Sequence, residues 1–179
     1  RIAYSDRVLT IVAPLFRHEK SKDTLGELVE VLLDEQGIDY DAAGSTTFKR
    51  KDLIKGVEPD ASFYIQNFSS VLNKDHIDLS IDPPPDLAIE IDLTSKTDPS
   101  LYEALGVPEL WRFDSGSLRI DVLQNGQYVQ VQESPTFPGW PVSEWAQKYI
   151  ARARAVGKGK AIRELRKMVR DRIQSNSQP

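Results

Sequence analysis

Apolar positions recur along this chain with two periods, and the change from one to the other outlines its elements. From His18 to Gln36, Leu25, Leu28, Val29 and Leu32 fall at i, i+3, i+4 and i+7. That spacing predicts a helix with one buried face, and Gly37 stands where a C-terminal cap belongs. At about 100° per residue, His18 shares the face of Leu25, Glu19 lies one step off it, and Glu27 points nearly opposite, to solvent. Elsewhere the period is two. The β-prone runs of RIAYSDRVLTIV flank Ser5-Asp6-Arg7 and predict a hairpin ended by Pro14. IDYDAAGSTTFKR and EPDASFYIQN predict two strands joined by the polar turn KDLIKG. In the second, Ala61, Phe63 and Ile65 share one face, and Asp60, Ser62 and Tyr64 the other. A looser excursion follows, with a short strand expected near Ile77 to Ile81. Pro83 to Pro85 cannot lie within a sheet, so they lead into a strand beginning at Asp86. Along it Leu87, Ile89 and Ile91 face one way, and Asp86, Ala88, Glu90 and Asp92 the other.

In DPSLYEALGVP, Asp98 reads as an N-cap, Pro99 as the first helical residue, and Gly106 with Pro108 as the stop. ELWRFDSGSLRIDVLQNGQYVQVQE gives three strands separated by a Ser-Gly and an Asn-Gly turn. After the loop FPGWPVSEW, Trp145, Tyr149, Ile150, Ile162, Leu165, Val169 and Ile173 recur at helical spacing, with Gly157 and Gly159 placed to kink or split the helix. The terminal SNSQP reads as a disordered tail. There is no internal repeat. The order of elements predicts an α+β fold with a mixed central sheet flanked by helices, an N-terminal hairpin and C-terminal helices. The expected division is a main domain over 1–150, a basic helical extension over 151–174 and a tail over 175–179.

Composition narrows the chemistry. A length of 179 residues fits one domain with a real core. With no cysteine, disulfides, thiolate metal sites and a cysteine nucleophile are excluded. That absence fits a reducing, cytoplasmic setting. Only His18 and His76 are present, which argues against a multi-histidine zinc centre. A bound metal is therefore expected to take oxygen ligands, as Mg²⁺ or Mn²⁺ does. No apolar run approaches the roughly 20 residues of a membrane helix. RIAYSDRVLT lacks the apolar centre of a signal peptide, and without an initiating Met the sequence is expected to begin inside a longer reading frame. No Walker loop, dinucleotide fingerprint or nucleophile elbow is present. His76 reads as exposed, the three tryptophans as packing residues, and Tyr102 as a core residue. The net charge of −4 is uneven: between Lys148 and Arg172 there are ten Lys/Arg against two Asp/Glu, leaving −12 elsewhere. A solvated basic helix face gives that pattern, and so does a polyanion-binding surface.

Glu90 is the residue hardest to explain as structure. It stands among Leu87, Ala88, Ile89 and Ile91, and burying a lone carboxylate is costly unless it is paired or binds a cation. A rise of about 3.3 Å per residue sets Glu90 and Asp92 about 7 Å apart on one face. Should the strand of Asp60 pair beside it with matching faces, Asp60 and Glu90 come within reach of a single ion. Any strand with one solvent face also carries acids there.

The blocks GVEPDASFYI, PPPDLAIEIDLTSKT and YEALGVPELWRFD together resemble the Uma-type (Uma two) putative restriction endonuclease family, a branch of the PD-(D/E)XK nuclease superfamily. The resemblance runs from about the His18 helix to Val142. It implies a restriction-endonuclease-like core in which two strands of the mixed sheet carry metal ligands. The first strand acid falls on Asp60 and the second on Glu90. The helix acid falls near Glu19, although the helical wheel points His18 at the core. The lysine expected two residues after Glu90 is replaced by Asp92. Lys96 is the candidate substitute and Lys49 a lesser one. The implied chemistry is Mg²⁺- or Mn²⁺-assisted hydrolysis of phosphodiester bonds in DNA, with Asp60 and Glu90 as ligands, Asp92 shaping the site or holding a second ion, and the basic C-terminal helices on phosphates. A homodimer follows by analogy with nucleases that cut both strands. Two other readings stay open: a nucleic-acid-binding or regulatory protein whose catalysis is weakened by Asp92, and a partner-binding module whose acids are mere surface.

Overall fold

One strand buried on both faces organises the molecule, and helices cover it on both sides. The computed structural model describes residues 2–5, 8–11, 15–50, 55–93 and 96–176. β1 (Ile2–Ser5) pairs antiparallel with β2 (Val8–Ile11), as the hairpin pattern predicts. Its turn and Pro14 lie outside the described residues. α1 spans Phe16–Gln36, and Gly37 closes it at φ 65, a left-handed position that glycine adopts without a Cβ penalty. Leu25, Leu28, Val29, Val31, Leu32 and Leu33 of α1 are buried, each contributing about 1.5–3 kcal/mol by leaving water. That burial, rather than helix propensity, holds α1 to the sheet.

The next region departs from expectation. IDYDAAGSTTFKR is not one strand but two, β3 (Asp41–Ala42) and β4 (Phe48–Arg50). Between them Gly44 takes φ +56 and its carbonyl accepts from Ser62 Oγ, while Thr46 turns back on Ala43. The turn sends the two strands into different sheets. The end of the expected turn KDLIKG is itself a strand, β5 (Lys55–Val57), paired with β4. Residues 51–54 lie outside the described residues. β6 (Ala61–Tyr64) follows, then a short helix, α2 (Phe68–Val71), that periodicity did not signal. The strand expected near Ile77 to Ile81 is a turn. Asp78 accepts the Ser80 amide on its side chain and the Ile81 and Asp82 amides on its carbonyl, a local closure that competes with sheet pairing.

β7 (Leu87–Ile91) is buried along its whole length. α3 (Pro99–Leu105) has the predicted ends: Asp98 accepts from the Ser100 amide, and Gly106 sits at φ 78. β8 (Glu109–Asp114), β9 (Ser117–Gln124) and β10 (Gln127–Val131) form the three-stranded run. Asn125 and Gly126 make its second turn, both at positive φ. The main sheet has the order β10-β9-β8-β7-β6-β3, with β7 and β8 parallel and the remaining pairs antiparallel. A smaller sheet has the order β2-β1-β5-β4. The fold is thus the expected α+β arrangement around a mixed sheet.

Leu87, Ile89 and Ile91 pack into one core with α1 and the C-terminal helices. Ala88 joins a second core with α3, Phe48 and Val57. Gly157, at φ 88 and ψ 146, splits the last helix into α4 (Val142–Val156) and α5 (Lys158–Asn176). α5 therefore carries Ser175 and Asn176, which the sequence pattern assigns to the tail, and 177–179 lie outside the described residues. Ala161, Ile162, Leu165 and Val169 of α5 share the core of α1. Its charges are tied there too. Arg166 and Arg170 reach Glu35 at 2.7 and 2.6 Å, and Lys158 reaches Glu27 at 2.5 Å. Among the described residues, no helix is long and apolar enough to cross a membrane.

Candidate active site

The first turn of α1 turns His18 inward, and the ring is buried as the helical wheel predicts. Its Nε2 lies 3.1 Å from Asp60 Oδ2, and its Nδ1 lies 3.3 Å from Glu19 Oε1. The imidazole donates to both carboxylates only when both nitrogens carry protons. Glu19 in turn holds Lys22 Nζ at 2.7 Å. That hydrogen bond keeps the Glu19 carboxyl below its ordinary value against the opposing effect of burial. Burial alone would pull the Lys22 ammonium down, but the bond to Glu19 and the charges of Glu19, Asp23 and Asp60 outweigh it and hold it raised. Lys22, Asp23, Glu27, Asp60, Ser62 and Lys158 all line one open cleft of about 420 Å³.

Asp60 immediately precedes β6. The register Ala61↔Ile89 carries it to the level of Glu90 on β7. Its Oδ2 accepts the Ile91 amide at 2.7 Å, so the carboxylate lies against the peptide unit that follows Glu90. Glu90 itself is 0% exposed. The Tyr102 hydroxyl of α3 donates to Glu90 Oε1. Glu90 stands beside Arg112 in the parallel register of β7 and β8. Arg112 donates through Nε and Nη2 to Asp121 Oδ2 at 3.0 and 2.7 Å, and Arg119 holds the other Asp121 oxygen at 2.7 Å. The two acids are therefore at one level of neighbouring strands, and each is held by a different helix: Asp60 by α1 and Glu90 by α3.

Asp92, at the end of β7, accepts both the amide and the hydroxyl of Thr97 at 2.9 and 2.6 Å and so closes the loop before α3. Asp86, at the other end, accepts the Ile65 and Asn67 amides and fixes the chain leaving β6. Lys96 donates to Asp114, and its side chain is 71% exposed. Lys49 lines a separate cleft of about 580 Å³ together with Lys74 and His76, the latter exposed as expected. Among the described residues, no three His, Cys, Asp or Glu side chains cluster closely enough to hold a metal. Asp60 and Glu90 offer only carboxylate oxygen, a donor chemistry that suits a hard dication whose remaining ligands are water and backbone carbonyl.

Sequence reasoning missed Lys22, although its spacing of three and four residues from Glu19 and His18 on a helix was a usable signal. It missed Arg112, which only cross-strand register reveals, and it took Tyr102 for packing alone.

A family model described as putative restriction endonuclease, Uma2, matches residues 1–146. Four solved chains match, among them a putative nuclease of the DUF820 group from Anabaena variabilis ATCC 29413. It shares 12% identity with this chain at a TM-score of 0.54, covering 80% of this chain and 83% of that one, a likeness of fold. No curated protein matches.

Proposed function

Because the chain belongs to the Uma2 family of putative restriction endonucleases, we propose that it is a metal-dependent endonuclease hydrolysing phosphodiester bonds in DNA, with Asp60 and Glu90 as the residues that hold Mg²⁺ or Mn²⁺. One observation carries the reading: the Asp60 carboxylate bonds the peptide unit next to Glu90, and both acids are buried. Bound there, a dication would lower the pKa of a water and offset charge on the phosphate. The chain's own part is orientation. His18 steadies Asp60, and Tyr102 steadies Glu90. Glu19 would act through His18, whose Nδ1 lies 3.3 Å from Glu19 Oε1. Asp92 fixes the loop that carries Lys96, and Lys96 would have to leave Asp114 to meet a phosphate. The phosphate surface is narrower than the charge count of α4 and α5 implies, since Arg152, Lys158, Arg166 and Arg170 already pair with carboxylates. On this reading the protein works in the cytoplasm, and a homodimer would bring two such sites to two strands.

A second reading is favoured by Asp92 standing where the superfamily has lysine and by the engagement of Lys96 with Asp114: a metal-binding, nucleic-acid-binding scaffold with little or no cleavage. Plasmid nicking in Mg²⁺ separates the two. Cleavage by wild type that is lost in Asp60→Ala, Glu90→Ala and Lys96→Ala supports the enzyme. Mn²⁺ uptake without nicking supports the scaffold. A wild-type chain that takes up no Mn²⁺ in calorimetry defeats both.

A further inference from the structure

The Tyr102–Glu90 contact joins a fully buried carboxylate to a phenol that is 1% exposed. The helix beneath the phenol is fastened at both ends. Asp98 caps its start through the Ser100 amide at 3.0 Å. At its end, the Val107 amide donates to the Tyr102 carbonyl at 3.1 Å. Tyr128 of β10 then clasps the same helix from outside: its amide donates to Glu103 Oε1 and its hydroxyl to the Val107 carbonyl, each at 2.8 Å. Clamped this way, α3 presents one hydroxyl at a fixed place on β7. A carboxylate on a strand retains rotation about its side-chain torsions, and each orientation it loses before binding is one a cation need not freeze.

We infer that Tyr102 is a positioning residue, holding Glu90 oriented for the dication of the proposed nuclease site. The inference rests on that reading of Asp60 and Glu90 as cation ligands. A phenol present only to fill the core would be replaced by phenylalanine with no effect on cation affinity. A phenol that orients a ligand would not, because hydrogen-bonding partners of metal ligands are worth about 10- to 100-fold in affinity.

Calorimetric titration with Mn²⁺ alone, on the full chain, tests this. Tyr102→Phe is expected to keep a native circular dichroism spectrum and to bind Mn²⁺ about 10- to 100-fold more weakly than wild type. Tyr128→Phe, which loosens the clasp on the same helix without touching Glu90, is expected to lower the melting temperature and to weaken Mn²⁺ binding by less than Tyr102→Phe does. If Tyr102→Phe binds as wild type does, the inference is overturned while the nuclease reading stands. If wild type itself takes up no Mn²⁺, both go. Should Tyr102→Phe not fold, wild type labelled with 3-fluorotyrosine decides. Mg²⁺ is expected to move the fluorine line of Tyr102 and not that of Tyr128, the lines being assigned by elimination with the other Tyr→Phe variants. A Tyr102 line indifferent to saturating Mg²⁺ overturns the inference.

Discussion

Replacing Asp60 in two ways separates its structural from its proposed ligand role. Its Oδ2 accepts the Ile91 amide at 2.7 Å and lies 3.1 Å from His18 Nε2, and Ile91 and His18 are 1% and 6% exposed. Asp60→Ala leaves the Ile91 amide buried without that acceptor, a cost of about 1–3 kcal/mol. His18 Nε2, left without that carboxylate, adds to this, so about 2–4 kcal/mol in all is expected. Asp60→Asn keeps a carbonyl oxygen for the Ile91 amide and removes only the charge, so its cost is that of a weakened bond, about 0.5–1.5 kcal/mol. In a chain of this size each kcal/mol is about 2–4 °C of melting temperature, which makes the two variants resolvable. Urea unfolding followed by circular dichroism gives the two costs, provided the slopes match wild type. Mn²⁺ calorimetry on the same samples gives the ligand role, expected to be lost in both variants. Equal stability of Asp60→Ala and wild type would show that the hydrogen bonds are not where the energy lies. Undiminished Mn²⁺ binding by Asp60→Asn would remove the carboxylate from the cation site.

Three further outcomes follow from the packing. Glu109 is buried and accepts from the Trp111 indole, Ser134 Oγ and the amide and hydroxyl of Thr136, so Glu109→Ala strands several donors and is expected to cost about 3–5 kcal/mol in urea unfolding, each buried donor left without an acceptor costing about 1–3 kcal/mol. Burial, with Glu27 and Asp34 adding their charges, raises the Glu30 carboxyl above its ordinary value of 4.5. The folded state then holds that proton more tightly than the unfolded chain, so ionised Glu30 opposes folding once pH rises through the raised value, and the penalty vanishes below 4.5. Glu30→Gln is accordingly expected to raise the melting temperature at pH 7 and not at pH 4; an equal gain at both would refute the electrostatic cause. Gly126 sits at φ +81 in the β9–β10 turn, where an L side chain is strained, so Gly126→Ala is expected to cost about 1–2 kcal/mol in chemical unfolding.

Much of the candidate site was legible because its parts lie on elements with strong local signals. Glu90 stood out as an acid inside an apolar run, and β7 proved buried from end to end. His18 fell on the buried face of α1 by periodicity alone. What the acids touch was not legible. Asp60 bonds His18 of α1 and Glu90 bonds Tyr102 of α3, partners that strand alternation does not name. The basic run of α4 and α5 read as a surface for polyanions, and several of its cations are held by acids of α1 and α5 itself.

The sequence by itself determined which residues of the strongly patterned elements face inward and where several of those elements stop. The leucine spacing of α1, the two-sided pattern of β7, the caps of α3 and the Asn-Gly turn are all decided within a few residues, by sterics and local hydrogen bonds. Only the tertiary structure decided who meets whom: β3 and β4 parted into separate sheets, His18 brought to Asp60, Tyr102 and Arg112 set beside Glu90. Periodicity specifies a buried face but not the surface that buries it. Strand order, register and helix docking come from the one arrangement that packs all those faces together while giving the buried charges partners.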